Sequence, residues 1–254
     1  MSMMISSEFT AGSPGKILVR PDSNRGVAAK RSASALPFWK RVMDMALLLV
    51  LAPGLLIVGG AVALVVMCGS RGPVFYRQRR VGYMGREFLC YKFRTMQADA
   101  DCQSHREHVQ QLMEAEVPMT KLDARKDPRL VPLGALLRAT GLDELPQVIN
   151  IIRGEMSFVG PRPCIPYEFE HYKPWQRRRF NATPGLTGLW QVCGKNRTTF
   201  NEMIRLDIEY SERQSPGLDS WIILKTFPAL LQQCLDMRAG KRSPASATPS
   251  ASMG

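Results

Sequence analysis

Met45 to Cys68 reads MALLLVLAPGLLIVGGAVALVVMC, without one charged side chain. A helix crosses a bilayer with about 20 apolar residues, so this run is long enough to do so. Its interior and its flanks complicate a simple span. Pro53 removes a helix hydrogen bond and bends the axis, and Gly54, Gly59 and Gly60 weaken the same stretch. Lys40 and Arg41 precede the run, with Lys30 and Arg31 further back, and Arg71, Arg77, Arg79 and Arg80 follow it. Positive charge marks the cytoplasmic side of a membrane segment, and here both ends carry it. Two readings stand on these residues alone. One is an ordinary transmembrane helix. The other is a re-entrant hairpin that bends at Pro53 and returns to the face it left.

The chain outside this run is basic. Its formal net charge is +12 over 254 residues, which suits a polyanionic partner such as nucleic acid, anionic lipid or a phosphorylated substrate. No recognition helix, zinc finger or RNA motif supports a nucleic-acid role. The six cysteines form no C-x-x-C pair and the three histidines complete no zinc spacing, so a structural zinc site is not expected. Residues 1–36 and 239–254 are Ser-, Ala- and Gly-rich without apolar periodicity and read as disordered tails. The first tail lacks the apolar core of a secretory signal.

Residues 71–238 read as one domain, mainly α with a small β-hairpin (α+β). Val74–Gln78 and Glu87–Phe93 are β-rich and separated by a glycine-containing turn. Lys92 and Arg94 alternate with Tyr91 and Phe93, which puts both cations on one strand face and makes them candidates for a phosphate site. Residues 95–118 are polar and helix-prone, and Asp127-Pro128-Arg129 is turn-like. A short helix is expected over Leu133–Leu137, ending at Arg138. The next begins at Asp143, with Asp143 as N-cap, Pro146 in the first turn and Gly154 as the stop. PYEFEHYKPWQRRRF is expected to break at Pro174, whereas TTFNEMIRLDIEYSE forms a better helix. Residues 181–196, NATPGLTGLWQVCGKN, read as a functional loop. In LDSWIILKTFPALLQQCL, Leu224, Phe227, Leu231 and Cys234 share a helical face near Trp221. That face fits either the membrane interface or the domain core.

Read locally, Asp143 is a helix cap. The ordered set GPVFYRQRRVG, YKFRTM, DPR, LDELPQ, IRGEMSFVGPRP and PGLTGLWQVCGK changes this. Together with the Pro-containing apolar helix, over roughly residues 37–235, it resembles the monotopic phosphoglycosyl transferases, bacterial sugar transferases that begin capsule, exopolysaccharide and O-antigen assembly. The resemblance implies a re-entrant helix at 37–70, amphipathic interfacial helices, and a catalytic domain on the cytoplasmic face of the bacterial inner membrane. It implies transfer of a sugar 1-phosphate from a UDP-sugar to undecaprenyl phosphate with release of UMP. In similar enzymes the Asp of the Asp-Glu pair is the nucleophile, which here is Asp143, and the Glu, here Glu144, holds Mg²⁺.

Splitting the transfer in two lets a soluble donor and a lipid acceptor use one site in turn. An anion attacking a diphosphate needs its charge offset, by Mg²⁺ and by Lys and Arg. Lys92, Arg94, Arg138 and Arg162 are the expected phosphate contacts, the last fixed between two prolines, with Arg80 and Asp127 as further candidates. Lys195 stands where the family often has Arg, Ala52-Pro53 where it has Ser-Pro, and Gly141 where a Ser is common. The motif wording points to a hexose, glucose or galactose. The expected partners are donor, acceptor and inner-membrane lipid, with no nucleic acid. Self-association as a homo-oligomer is left open.

Overall fold

The computed structural model describes residues 36–69, 71–96, 113, 133–193 and 198–238. Asp127, Lys195, both tails and nearly all of the polar stretch 95–118 lie outside the described residues. Helix α1, Phe38–Gly69, runs through Pro53. Among the described residues it is the one helix long and apolar enough to cross a membrane. Its middle faces outward, with Leu49, Val50, Leu56 and Ile57 each about three-quarters exposed.

Both ends of α1 are held by the same body of protein. Near the start, Lys40 is fully buried, donates to the Tyr210 hydroxyl at 2.8 Å and pairs with Asp219. Asp44 accepts from the Ser157 hydroxyl at 2.9 Å and the Phe158 N–H at 3.1 Å. Arg41 donates to the Ile151 and Ile152 carbonyls at 2.5 and 2.6 Å. Near the end, Val62 and Val66 bury against Phe93 and Leu137. Polar anchors hold the first end and apolar packing holds the second.

Strands β1, Phe75–Val81, and β2, Glu87–Phe93, pair antiparallel from Phe75↔Phe93 to Val81↔Glu87. The first strand runs past the expected Gln78, so Arg79 and Arg80 belong to the sheet rather than to the turn. The cause is an outside partner: Val81 also bonds the Cys164 carbonyl at 2.8 Å, which keeps the strand extended. Helix α2, Gly134–Thr140, is ended by Gly141 at φ 75°, a left-handed conformation that glycine adopts without cost.

The helix expected from Asp143 does not start there. Leu142–Gln147 form a 3₁₀ turn, opened by the Glu144 N–H bonding the Gly141 carbonyl, and helix α3 covers only Val148–Arg153. Pro146 has no N–H to give, which delays α-type bonding. Asp143 is thus not an N-cap.

Part of the expected loop at 181–196 is ordered structure. Strand β3, Ser157–Val159, pairs in parallel with β4, Gly185–Thr187. At three residues each, these strands are too short for periodicity to reveal. A Cβ at Gly160 would run into the Thr183 carbonyl, and one at Gly185 into the Gly160 nitrogen. Only glycines allow the two backbones to come this close. Helix α4, Pro166–His171, and a 3₁₀ turn, Gln176–Asn181, are separated around Pro174 as expected. Helix α5, Leu189–Cys193, follows β4. Helix α6, Phe200–Arg213, opens with a Thr199–Glu202 capping box. Helix α7, Pro216–Arg238, buries Ile222 but leaves Trp221, Leu224, Phe227 and Leu231 exposed. The outward face of α7 is therefore apolar and not part of the core; the Cys234 side chain lies outside the described set. The main core joins Val81, Tyr172, Phe180, Trp190 and Phe200.

Candidate active site

A two-stranded sheet has a free edge, and β2 uses its edge to set the site. Asn150 of α3 is fully buried. Its carbonyl oxygen accepts from the Tyr91 N–H at 3.2 Å, and its amide donates to the Leu89 carbonyl at 2.7 Å and to Glu155 at 2.6 Å. The side chain thus completes the β2 edge as a neighbouring strand would. That bond pair fixes the register of β2 against the Asp143 turn. One residue further on, Lys92 reaches the turn and donates to Glu144 Oε1 at 2.6 Å.

Asp143 is buried beside this pair, whereas the Glu144 side chain is 36% exposed. Burial works against a charge on Glu144. Lys92, then Arg162 and Arg80, overcome that cost and hold its carboxyl down to about 2. Glu144 is therefore ionised across the physiological range, in a basic field.

The Pro161-Arg162-Pro163 segment is held from both sides by buried arginines. Arg179, 1% exposed, donates to the Arg162 carbonyl at 2.8 Å and the Tyr172 hydroxyl at 2.7 Å, and pairs with Asp207. Asp207 also accepts from the Arg162 backbone. Arg80 donates to the Pro163 carbonyl at 3.1 Å and to Gln78 Oε1 at 3.1 and 2.7 Å. Two flanking prolines and these bonds leave the Arg162 backbone little freedom.

The expected residues therefore divide. Asp143, Glu144, Lys92, Arg162 and Arg80 come together, but Arg80 spends its bonds on Gln78 and Pro163 and acts on the site mainly through its charge. Arg94 lies just past the end of β2, buried, and donates to the Arg71 carbonyl at 2.8 Å, so it braces the link from α1 to β1. Arg138 sits in the last turn of α2, half-buried, ahead of Gly141. Asn150 and Arg179 are not among the residues expected from the sequence. Asn150 did carry a signal, as the one polar residue within Val148-Ile149-Asn150-Ile151-Ile152. Arg179 had none, since it sits in a run of three arginines that reads as a solvated face.

The donor set also bears on metal binding. Mg²⁺ is usually held by one or two carboxylates plus substrate phosphates, and keeps several waters. Among the described residues no three Asp, Glu, His or Cys side chains cluster, whereas Glu144 is ionised and accessible. Such a set would fit a cation that arrives with its own phosphate ligands, and Glu144 is the carboxylate that would hold it.

A family model described as bacterial sugar transferase matches residues 35–233. The chain belongs to the bacterial sugar transferase family. It is by that membership an enzyme of the phosphoglycosyl transferase class. It is 40% identical over 182 residues to galactosyl transferase CpsE of Streptococcus agalactiae, covering 69% of this chain and 39% of CpsE. With the exopolysaccharide production protein ExoY of Sinorhizobium fredii it shares 39% identity over 183 residues, 72% of this chain and 79% of ExoY. With a UDP-glucose:undecaprenyl-phosphate glucose-1-phosphate transferase of Caulobacter vibrioides it shares 37% over 203 residues, 76% of this chain and 69% of that protein. The chain thus spans well under half of CpsE but most of ExoY.

Proposed function

We propose that this transferase moves a hexose 1-phosphate, glucose or galactose, from a UDP-sugar to undecaprenyl phosphate, opening the membrane stage of an exopolysaccharide pathway. The observation that carries the reading is a buried carboxylate, Asp143, beside a Lys92–Glu144 pair and the charges of Arg162 and Arg80. In the first step an Asp143 oxygen attacks the phosphorus next to the sugar. The bond from that phosphorus to the UMP oxygen breaks, and UMP leaves. In the second step the acceptor phosphate oxygen attacks the same phosphorus and expels the Asp143 carboxylate, giving a lipid diphosphate sugar. Lys92 and Arg162 offset charge on the diphosphate, and Glu144 would hold a Mg²⁺ that adds to this neutralisation. Asp143 lies within the 3₁₀ turn and is not the N-cap of α3. The relatives named for galactosyl and glucose-1-phosphate transfer support a hexose, and the glucose enzyme names the same acceptor.

The same reading places α1 in the cytoplasmic leaflet as a re-entrant helix bent at Pro53, with the outward face of α7 in the interface and the catalytic domain in the cytoplasm. Lys40 at one end and Val66 at the other both join the one domain, and a straight span cannot put both ends on one side. The stretch between the anchors Asp44 and Val62 is roughly 26 Å at ~1.5 Å per residue, less than the ~30 Å hydrocarbon core. Incubation with a panel of UDP-sugars and undecaprenyl phosphate tests the activity: UMP and a lipid-linked hexose phosphate are expected from UDP-glucose or UDP-galactose. No lipid product from any sugar would mean a scaffold without activity. Tags at the two chain termini test the topology, and one cytoplasmic and one periplasmic tag would refute re-entry.

A further inference from the structure

An apolar cleft of about 330 Å³ lies between the second half of α1 and helix α2. Ile57, Val58 and Ala61 line it from α1, and Leu133, Leu136 and Leu142 from the α2 side. Its base is sealed by Val62 packed near Leu137. The mouth is open, with Ile57 74% and Leu136 50% exposed. The volume falls within the ~300–1,000 Å³ range of ligand pockets, yet every wall is aliphatic. A nucleotide sugar has nothing to bond there. Lys92 and Arg162, the cations beside Glu144, are not part of the cleft lining.

We propose that this cleft seats the first isoprene units of the acceptor lipid, with the lipid's terminal phosphate delivered to Asp143; the assignment rests on the acceptor being a polyprenyl phosphate. Continuity decides the occupant. Leu142 lines the cleft, and the next residue, Asp143, is the buried carboxylate of the site. A chain lying against Ile57 and Leu136 therefore ends with its headgroup at the reacting position. The wall it lies on is the exposed apolar part of α1, so the cleft opens where lipid chains are. The cations gathered at the site favour a terminal phosphate monoester with two charges over the singly charged diester of a bilayer phospholipid. Bilayer hydrocarbon is as apolar as the cleft, so entering it gains little hydrophobic energy. The cleft contributes placement: it aligns the attacking oxygen, and small errors in such alignment cost up to about 100-fold in rate.

The two steps of the reaction allow a test. Ala61→Phe and Leu136→Trp each fill the cleft, one from the membrane side and one from the domain side. Leu56→Phe adds the same bulk to α1 at a residue outside the cleft lining. The expected result is a normal UMP burst from UDP-sugar in all three variants, with transfer to undecaprenyl phosphate slowed about 10- to 100-fold in the first two only. A full rate of lipid transfer in both cleft variants would overturn the assignment, as would equal slowing in Leu56→Phe. A polyprenyl phosphate carrying a photoreactive group in its first isoprene units gives an independent reading of occupancy. It should label the 133–142 segment and be displaced by undecaprenyl phosphate but not by bilayer phospholipid. Labelling elsewhere, or equal displacement by phospholipid, would mean the cleft holds ordinary acyl chains. An absent UMP burst in the unaltered protein would instead count against the reaction itself, and the photolabel would still decide the cleft.

Discussion

Replacing Asp219 with Leu should unfold the base of α1. Lys40 and Asp219 are both 0% exposed, and the Tyr210 hydroxyl completes the group by accepting from Lys40 and donating to Asp219 at 2.7 Å. Removing the carboxylate strands an ammonium whose remaining hydrogen-bond acceptor among the described residues is the Tyr210 hydroxyl. Breaking a buried pair in this way costs about 3–5 kcal/mol, because the surviving charge stays desolvated. For a domain of this size each kcal/mol lowers Tm by roughly 2–4 °C, so a drop of about 6–20 °C is expected. The double variant Lys40→Met/Asp219→Leu removes both charges and should recover most of that loss. Thermal unfolding of the full chain in detergent, followed by tryptophan fluorescence, measures all three proteins. A Tm for Asp219→Leu within about 2 °C of the parent, or a double variant no more stable than the single, would show that this pair does not clamp α1 to α7.

Two further outcomes follow from the site. In Lys92→Met, Glu144 loses its strongest stabilising partner while the burial cost remains. Its carboxyl should rise from about 2 toward or past the ordinary 4.5, read by titrating the Glu144 carboxyl signal by NMR. The depressed value means that the ion pair's contribution to stability is complete above about 4.5 and lost as pH falls toward 2. In Lys92→Met that acid-dependent part should vanish, but the pair is partly exposed and the change is only about 0.2–1 kcal/mol. Asn150→Leu should leave the Leu89 and Tyr91 groups unpaired, costing about 1–3 kcal/mol. It should slow UMP release as well, since Lys92 loses its fixed register; hydrogen exchange at the Tyr91 amide checks the structural cause, and unchanged protection there would remove the explanation.

How much of this was readable in the sequence depended on the range over which each cause acts. The apolar run 45–68 and the Pro174 break are local, and they read correctly. The strand alternation put Lys92 beside Glu144, and Arg94 continues the same ladder, its N–H bonding the Val74 carbonyl at 2.9 Å. Asp143 read as a cap because an Asp ahead of an apolar run usually is one. Gly141 and Pro146 together impose a 3₁₀ turn instead, a joint effect that single-residue propensity misses. Strands β3 and β4 were hidden because their pairing comes from the close approach of Gly160 and Gly185. The Lys40–Asp219 pair, 179 positions apart, has no local trace at all.

In the proposed reaction Asp143 carries the sugar phosphate between donor and acceptor. Mass spectrometry of the full chain, mixed with UDP-glucose or UDP-galactose and Mg²⁺ without acceptor, tests it most directly. One hexose phosphate should be added per chain, mapped to Asp143, formed as UMP is released, discharged by undecaprenyl phosphate and absent in Asp143→Asn. UMP release that requires acceptor and leaves no adduct, or an adduct on another residue, would contradict it.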